Sequence, residues 1–212
     1  MRTYLLAALL AAVTHAQIAR DPTTPRPAHD DHARLARWLV HSADWGVLST
    51  LSTHLQGVPY GNAVSLSDGP AGGGGTGRLL FYLTAMDATA QDAAVNSSAT
   101  LTLCEAQLPG GCSGVDPEDP TCAKLAISGR LSAVPLLPAE ALRHAEELLF
   151  SRHPAMQSWP PDHGFRVYEL QPAAIRLLDW YGGPRDLTPD EYWHGAAARR
   201  ESGGDGRLGL AR

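Results

Sequence analysis

Lysine is nearly absent from this sequence of 212 residues, since Lys124 is the only one among 17 basic residues. No segment has the G-x-x-x-x-G-K-[ST] pattern, in which a lysine beside a glycine-rich loop binds nucleotide phosphates. The formal net charge is −5, so the sequence also lacks the excess of cations that binds a nucleic-acid backbone. These absences argue against nucleotide hydrolysis, most Schiff-base chemistry and nucleic-acid binding.

Charged residues are also scarce, at 18% of the chain, where about a quarter is usual. The sequence contains 21 glycines and 16 prolines, which favour turns over long helices. A chain of this length suffices for one domain with a substantial core. The composition therefore indicates a single turn-rich domain and not a helical bundle.

No apolar run is long enough to cross a membrane. The longest one, at residues 5–13 (LLAALLAAV), has nine residues, whereas a spanning helix needs about 20. Arg2 precedes it and the small residue Ala16 follows it, which is typical of a cleaved signal peptide over residues 1–16 with cleavage after Ala16. The sequence therefore predicts a secreted protein without a membrane span. An uncleaved anchor or a buried helix is the alternative interpretation.

Cysteine is limited to three residues, Cys104, Cys112 and Cys122. Secretion favours a disulfide, and Cys112–Cys122 is the first choice because these two residues flank one flexible loop rich in glycine, proline and aspartate. Cys104 follows a strand-like run and is interpreted as a small buried apolar residue. Zinc is poorly supported, because the cysteines form no C-x-x-C pair and no histidine pair with ligand spacing accompanies them.

One glycosylation sequon is present, Asn96-Ser97-Ser98. It follows a predicted helix and precedes a predicted strand, so Asn96 is expected to be exposed at the turn between them. In a secreted chain this asparagine is a candidate glycan acceptor.

Hydrophobic periodicity predicts an α+β domain: a small, mostly antiparallel β-barrel of six or seven strands with about three helices. The domain is expected at residues 29–194, between a flexible proline-rich leader at 17–28 and a disordered tail at 195–212. The glycine-rich segment 72–77 is interpreted as a flexible insertion, because it joins two strands and contains no lysine. The helices are predicted at 29–43, 87–95 and 139–151, and the strands at 47–53, 60–67, 78–84, 99–108, 122–134, 165–170 and 175–181.

The polar residues form no recognisable catalytic constellation. No histidine stands near a serine or cysteine in a nucleophile motif. The pair His29 and His32 is interpreted as a polar helix start, and the acidic loop around Asp116 lacks the ligand spacing of a calcium site. The sequence therefore predicts no catalytic residue and no metal site.

The order of several long motifs resembles the CREG family, secreted glycoproteins named as cellular repressors of adenoviral early-gene-stimulated transcription. The resemblance runs from about Asp31 to Trp193 and rests on DWGVLSTLS, GVPYGNAVSLSDGP, LLFYLT, RHPAMQSWP and LLDWYGGPRDLTPDEYW. It implies a split β-barrel of the FMN-binding, pyridoxamine-phosphate-oxidase-like type, usually a homodimer, without flavin. It also implies a disulfide at Cys112 and Cys122, action in growth, differentiation or the lysosome, and binding of a mannose-6-phosphate receptor through glycans.

The loss of flavin can be checked against the sequence. In flavin-binding relatives, the strand that resembles LLFYLT is followed by a Ser-Arg-Lys type segment that holds the phosphate, and the matching positions here are Asp87, Ala88 and Thr89. A carboxylate has replaced the two cations, which disfavours a bound phosphate. Phe81 and Tyr82, with these three residues, are the candidates for a degenerate flavin pocket.

The expected function is therefore that of a non-enzymatic secreted or lysosomal glycoprotein that works through protein partners and carries no cofactor. The alternative is an FMN-dependent oxidoreductase on the same barrel, in which Arg78, Arg130 or Arg152 replaces the missing cations. A binding module for another small ligand is a third possibility.

Overall fold

The computed structural model describes residues 25–195. The predicted signal peptide, its cleavage site after Ala16 and most of the predicted leader and tail lie outside the described residues.

Seven strands and three α-helices make up the domain, which confirms the predicted α+β class. All strand pairs are antiparallel. Short 3₁₀ turns fill several of the connections. The helices are α1 His32–Ser42, α2 Ala88–Val95 and α3 Ala139–Arg152, and the strands are β1 Trp45–Leu51, β2 Pro59–Ser65, β3 Leu80–Leu83, β4 Ser98–Cys104, β5 Lys124–Ala133, β6 Arg166–Leu178 and β7 Arg185–Leu187.

The strands form one curled sheet in the order β2-β1-β4-β5-β6-β3, and β7 adds to β6. The two ends of this order approach each other just beyond β2, where Ser67 and Leu80 exchange backbone hydrogen bonds of 3.1 Å. This bridge brings β3 next to the chain that leaves β2 and closes the curl into a barrel.

Two hydrophobic clusters stabilise the fold. The larger one fills the barrel and includes the apolar stripe of α1, formed by Leu35, Ala36, Leu39 and Val40 at helical spacing. The smaller one lies under α3, where Ala145, Leu148 and Leu149 pack against Leu80, Val134, Met156 and Val167. Burial of these two surfaces fixes α1 and α3 relative to the sheet.

The end of the chain differs from the predicted arrangement of strands. The predicted strands at 165–170 and 175–181 form one strand, β6, and the three-residue β7 that follows was not predicted. The register against β5 shifts near Gly129, because Ser128 pairs with Ala174 and Gly129 with Pro172, which leaves Ala173 as an extra residue. A Cβ atom at Gly129 would lie 1.9 Å from the carbonyl oxygen of Gln171, so this bulge requires glycine.

Two segments that the sequence suggested as flexible contact the barrel. In the leader, Arg26 Nε lies 3.0 Å from both carboxylate oxygens of Glu105. In the glycine-rich segment, Arg37 donates to the carbonyl oxygen of Gly75 at 2.8 Å, and the Tyr192 hydroxyl donates to that of Gly77 at 2.8 Å. The leader is therefore held by an ion pair with Glu105, and side chains from α1 and from the end of the domain position the glycine-rich segment.

Candidate functional site

A cavity of about 350 Å³ opens between β2, β3 and the turns that follow α3. The β2 segment 62–65 forms one side and the β3 segment 82–84 forms another. Its remaining lining residues are Asp87, Met156, Trp159 and Phe165. None of the residues that line this cavity is an arginine, a lysine or a histidine.

One wall of the cavity is aromatic. The ring of Tyr82 stacks on that of Phe165 with centroids 5.1 Å apart, and Trp159 lies 4.8 Å from Phe165. Phe150 contacts the other side of Tyr82 edge-on at 5.3 Å. Burial, with a smaller contribution from the charge of Glu146, raises the pKa of Tyr82 above its usual value, so its phenol remains protonated at neutral pH. The wall can stack against a flat aromatic ligand.

The polar side of the cavity is organised by Asp87, which caps the first turn of α2. Its Oδ1 accepts a hydrogen bond of 2.7 Å from the backbone N–H of Thr89, and its Oδ2 accepts one of 3.0 Å from Asn62 Nδ2. Asn62 Nδ2 also lies 3.0 Å from Thr89 Oγ1. A helix N-terminus favours negative charge, and here the carboxylate of the chain itself occupies the position at which a ligand anion would bind.

The three arginines named as possible replacements for the missing cations do not line the cavity. Arg78 forms a two-pronged ion pair with Glu169, at 2.8 and 2.7 Å. Arg152 is 1% exposed and binds Asp68, whereas Arg130 is exposed near the middle of β5. Arg78 and Arg152 are therefore engaged in ion pairs outside the cavity.

Of the predicted pocket residues, the structure brings Tyr82 and Asp87 to the cavity. Thr89 is buried and reaches the site only through its hydrogen bonds, and Ala88 is half-buried in the first turn of α2. Phe81 belongs to the core inside the barrel and does not line the cavity.

The sequence reasoning missed Asn62, Trp159 and Phe165 as site residues. Asn62 had a detectable signal, since it is an amide in the middle of the strand-like segment YGNAVSLS. Trp159 and Phe165 lie in an irregular segment far along the chain, and only the tertiary fold places them beside β3.

A second polar cluster lies beneath the glycine-rich segment, among buried residues. Asp68 Oδ1 accepts a hydrogen bond of 2.8 Å from His41 Nδ1 and lies 3.4 Å from Arg152 Nη2. Arg152 also donates to the carbonyl oxygens of Gly69 and His41, at 3.0 and 2.6 Å. The cluster joins α1, α3 and the glycine-rich segment around Arg152, which also lies 3.5 Å from an Asp44 oxygen.

The three cysteines lie together at one end of the barrel. Cys112 and Cys122 form a disulfide, and Cys104 is a free thiol. Cys104 is half-buried, in contrast to the fully buried side chain that the sequence suggested. Its Sγ lies 3.8 Å from Sγ of Cys122.

The sequon asparagine lies where the sequence placed it. Asn96 follows the last residue of α2 and is exposed, and its Oδ1 accepts a hydrogen bond of 3.0 Å from Ser98 N–H. This geometry leaves Nδ2, the atom to which a glycan is attached, at the surface.

The histidines at the start of the domain are far less organised than a metal site. His29 stacks on Trp180 with ring centroids 4.5 Å apart, whereas His32 faces Asp179 at 3.7 Å, too far for a hydrogen bond. Burial raises the pKa of Asp179 above its usual value, and its Oδ2 has no hydrogen-bond partner among the described residues.

Comparison with known proteins places this barrel in a family. A family profile described as "CREG, beta-barrel" matches residues 27–194. The chain belongs to the CREG β-barrel family. Protein CREG1 of Gallus gallus is 42% identical over 195 residues, which cover 90% of this chain and 98% of that protein. Protein CREG1 of Homo sapiens is 38% identical over 174 residues, which cover 80% and 77% of the two chains. The resemblance inferred from the motifs is confirmed.

Solved structures extend the likeness to the fold. The heme binding protein from Mycobacterium smegmatis matches with a TM-score of 0.62 at 19% identity, over 80% of this chain and 62% of that one. A protein of the pyridoxinephosphate oxidase family from Clostridium acetobutylicum, related to general stress protein 26, matches with a TM-score of 0.53 at 12% identity, over 78% and 99% of the chains. The predicted split barrel of the FMN-binding type is confirmed as the fold of this CREG-family chain. Within residues 25–195, no helix has the length and hydropathy needed to cross a membrane.

Proposed function

We propose that this CREG-family chain is a secreted, non-enzymatic glycoprotein that acts through protein partners, in growth and differentiation control or in the lysosome. One observation carries the proposal: the carboxylate of Asp87 occupies the N-terminus of α2 in the cavity where a flavin phosphate would need positive charge. The aligned segment of flavin-binding relatives supplies cations instead. The barrel therefore serves as a scaffold for contacts with partners.

Electrostatics supports the absence of a phosphate ligand at this position. Two like charges about 4 Å apart repel by about 4 kcal/mol at the effective dielectric constant typical near a protein surface. A phosphate dianion near Asp87 would meet this repulsion without a compensating cation from the cavity lining. Even a favourable aromatic stack, worth about 1 kcal/mol, would not offset it.

The alternative, an FMN-dependent oxidoreductase, is favoured by one feature, the aromatic wall of Tyr82, Trp159 and Phe165. The rings could stack on the isoalloxazine of a flavin. The two functions predict opposite effects of the phosphate on flavin binding. FMN and riboflavin share the ring and only FMN carries the phosphate, so a comparison of the two ligands measures that effect.

Fluorescence titration of the full protein with FMN and with riboflavin tests the proposal. We expect no saturable binding of FMN to the unmodified protein. Asp87→Ser keeps a helix cap and removes the charge, so its affinity for FMN should rise relative to its affinity for riboflavin. The exposed Asp162→Ser is the matched control and should behave as the unmodified chain does. FMN binding that is saturable and tighter than riboflavin binding would establish the oxidoreductase interpretation instead.

A homodimer is part of the proposal, and the outer face of β1 and β2 supports it. Trp45 is 43% exposed on this face, and Val47 and Leu51 lie on the same side of β1 and are exposed too. A solvent-facing strand is usually polar. We expect Val47→Asp to lower the fraction of protein that sediments as a dimer in analytical ultracentrifugation. Leu137→Asp alters an exposed leucine elsewhere and should leave that fraction unchanged. A monomeric unmodified protein would contradict this part of the proposal.

Glycosylation of Asn96 would supply the contact with a mannose-6-phosphate-type receptor. The side chain is exposed beyond α2, so an attached glycan would extend into solvent. Asn96→Gln should remove the glycan mass of the protein expressed in mammalian cells and abolish receptor capture. Equal capture of both proteins would exclude this glycan as the contact.

A further inference from the structure

The sulfur atoms of all three cysteines converge at the ends of β4 and β5. Cys104 Sγ lies 3.8 Å from the disulfide sulfur of Cys122, and the three sulfur atoms all lie within 4.8 Å of one another. A thiol in contact with a disulfide is the arrangement from which thiol–disulfide exchange proceeds.

Two of the three cysteines are fixed by the sheet. Cys104 is the last residue of β4 and pairs with Lys124, two residues after Cys122. The backbone of Glu105 donates to the carbonyl oxygen of Ala123 at 2.8 Å, and the Glu105 carboxylate accepts from Ala123 N–H at 3.1 Å. These bonds extend the ladder past the end of the strands, so Cys104 and Cys122 remain adjacent whichever disulfide is present.

Cys112 differs, because it belongs to the loop and not to the sheet. Its backbone has φ of 57°, and that of Ser113 has φ of 49°, values in the left-handed region that residues other than glycine rarely adopt. Ser113 and the five residues after it are exposed. Release of Cys112 from the disulfide would free this loop from its covalent anchor.

We propose that Cys104, Cys112 and Cys122 form a thiol–disulfide exchange site, in which the disulfide moves between Cys112–Cys122 and Cys104–Cys122. The Cys104 thiol loses its proton, and its thiolate attacks Sγ of Cys122. The Cys104–Cys122 bond forms, the Cys112–Cys122 bond breaks, and the electron pair of the broken bond remains on Cys112 Sγ, which takes up a proton. One disulfide and one thiol are present before and after, so the step needs no oxidant or reductant.

The exchange changes what the loop is attached to. In the first isomer the disulfide anchors the loop to the segment just before β5, and in the second it joins the end of β4 to that same segment. The second isomer leaves a thiol at Cys112 within an otherwise exposed loop. The site is therefore a candidate for reaction with external thiols and disulfides at Cys112 and not at Cys104 alone.

Disulfide mapping of the secreted protein tests the proposal. The protein is held at about pH 8, where thiolate forms readily, and is then denatured with N-ethylmaleimide and cleaved after glutamate. Glu105 and Glu118 separate the three cysteines onto different peptides. We expect label at both Cys104 and Cys112, with about a tenth or more at Cys112 if the isomers differ no more than tenfold in stability.

Three single variants complete the experiment. Cys112→Ser should contain a Cys104–Cys122 disulfide and no thiol, which shows that the second isomer is accessible. Cys104→Ser is the control and should keep Cys112–Cys122 with no label at any position. In Cys122→Ser the loss of the shared partner should abolish exchange, with any disulfide confined to Cys104–Cys112.

Any one of three results would overturn the proposal. The first is a Cys112→Ser protein in which Cys104 and Cys122 are both labelled after oxidative secretion. The second is an unmodified protein whose label stays on Cys104 alone after prolonged incubation, and the third is one whose Cys104 forms a disulfide with a second chain. Because labelling of the unmodified protein needs no substitution, the test holds even if a variant fails to fold.

Discussion

The protein has two groups of buried or half-buried carboxylates whose hydrogen-bonding needs are met in different ways. Beneath the glycine-rich segment, Asp68 is held by the Arg152 guanidinium and by His41. On α2, Asp92 accepts hydrogen bonds from the hydroxyls of Thr50 and Thr53 and from Thr53 N–H, at 2.7 to 2.9 Å. Asp87 at the start of the same helix is likewise held by amide donors.

The difference shows where the chain uses its cations. An ion pair with arginine leaves little net charge, whereas hydroxyl and amide donors satisfy a carboxylate without cancelling its charge. The Arg152 cluster therefore links α3 to the end of α1 through His41, and the cavity beside α2 retains a negative charge. A split barrel with the same strands could bind an anion if its arginines pointed to the cavity instead. Three substitutions test this contrast.

The largest effect is expected at Arg152. Arg152→Met removes the cation and leaves Asp68 buried without its charge partner, so we expect a loss of about 3 to 5 kcal/mol in the free energy of unfolding. Urea denaturation followed by circular dichroism measures this loss. Arg143→Met is the matched control, since Arg143 lies on the same helix and is exposed, and its loss should stay below about 0.5 kcal/mol.

The double variant Arg152→Met/Asp68→Asn separates charge from packing. If the unpaired carboxylate causes the loss, removal of its charge should recover part of the stability. The double variant could instead lose as much free energy of unfolding as Arg152→Met and Asp68→Asn lose together. That result would show that the cluster acts through the shape of its side chains and not through their charges.

An intermediate effect is expected at Asp92. Burial acts to raise the pKa of Asp92, but the hydrogen bonds from Thr53 and Thr50 outweigh it and hold the pKa below its usual value of 3.8. Asp92→Asn should therefore lose about 1.5 to 3 kcal/mol at neutral pH, the range for hydrogen bonds to a charged group. Since the folded-state pKa is lowered, this contribution is fully present above about pH 4, the pKa of an unfolded aspartate. It is lost as the pH falls from there through the lower pKa of the folded state.

Unfolding free energies of the unmodified chain and of Asp92→Asn between pH 7 and pH 3 check this expectation. The difference between the two proteins should be constant down to about pH 4 and should narrow below it. The exposed Asp162→Asn should show no such narrowing. A difference that is the same at pH 3 and pH 7 would mean that the charge of Asp92 plays no part.

Most of the fold could be predicted because the local signals agree with the tertiary structure. The apolar stripe of α1, the strand-forming residues of β1 and the proline before α3 each indicate the element observed. The exceptions are at β6 and β7. Two strands were predicted on either side of Pro172, but the bulge at Ala173 keeps them in one strand, and such a bulge depends on the partner strand.

The candidate site was predictable only in part, for a similar reason. Asp87 could be identified because it lies three residues after the segment LLFYLT and begins a helix. The partners of the carboxylates could not, since Thr50 and Asp92 are 42 residues apart and Arg152 and Asp68 are 84 apart. Periodicity shows which side chains are buried but not which buried polar groups meet.

The smallest effect on stability is expected at Asp87, where the charge matters for the cavity more than for the fold. Asp87→Ala removes the cap of α2 and the partner of Asn62, so we expect a loss of about 1 kcal/mol. Asp87→Ser can still accept from Thr89 N–H and should lose less. Thermal unfolding of the three proteins measures both differences. If Asp87→Ser proved as unstable as Asp87→Ala, the carboxylate would be needed to hold α2 itself, and its position in the cavity would follow from stability and not from exclusion of an anion.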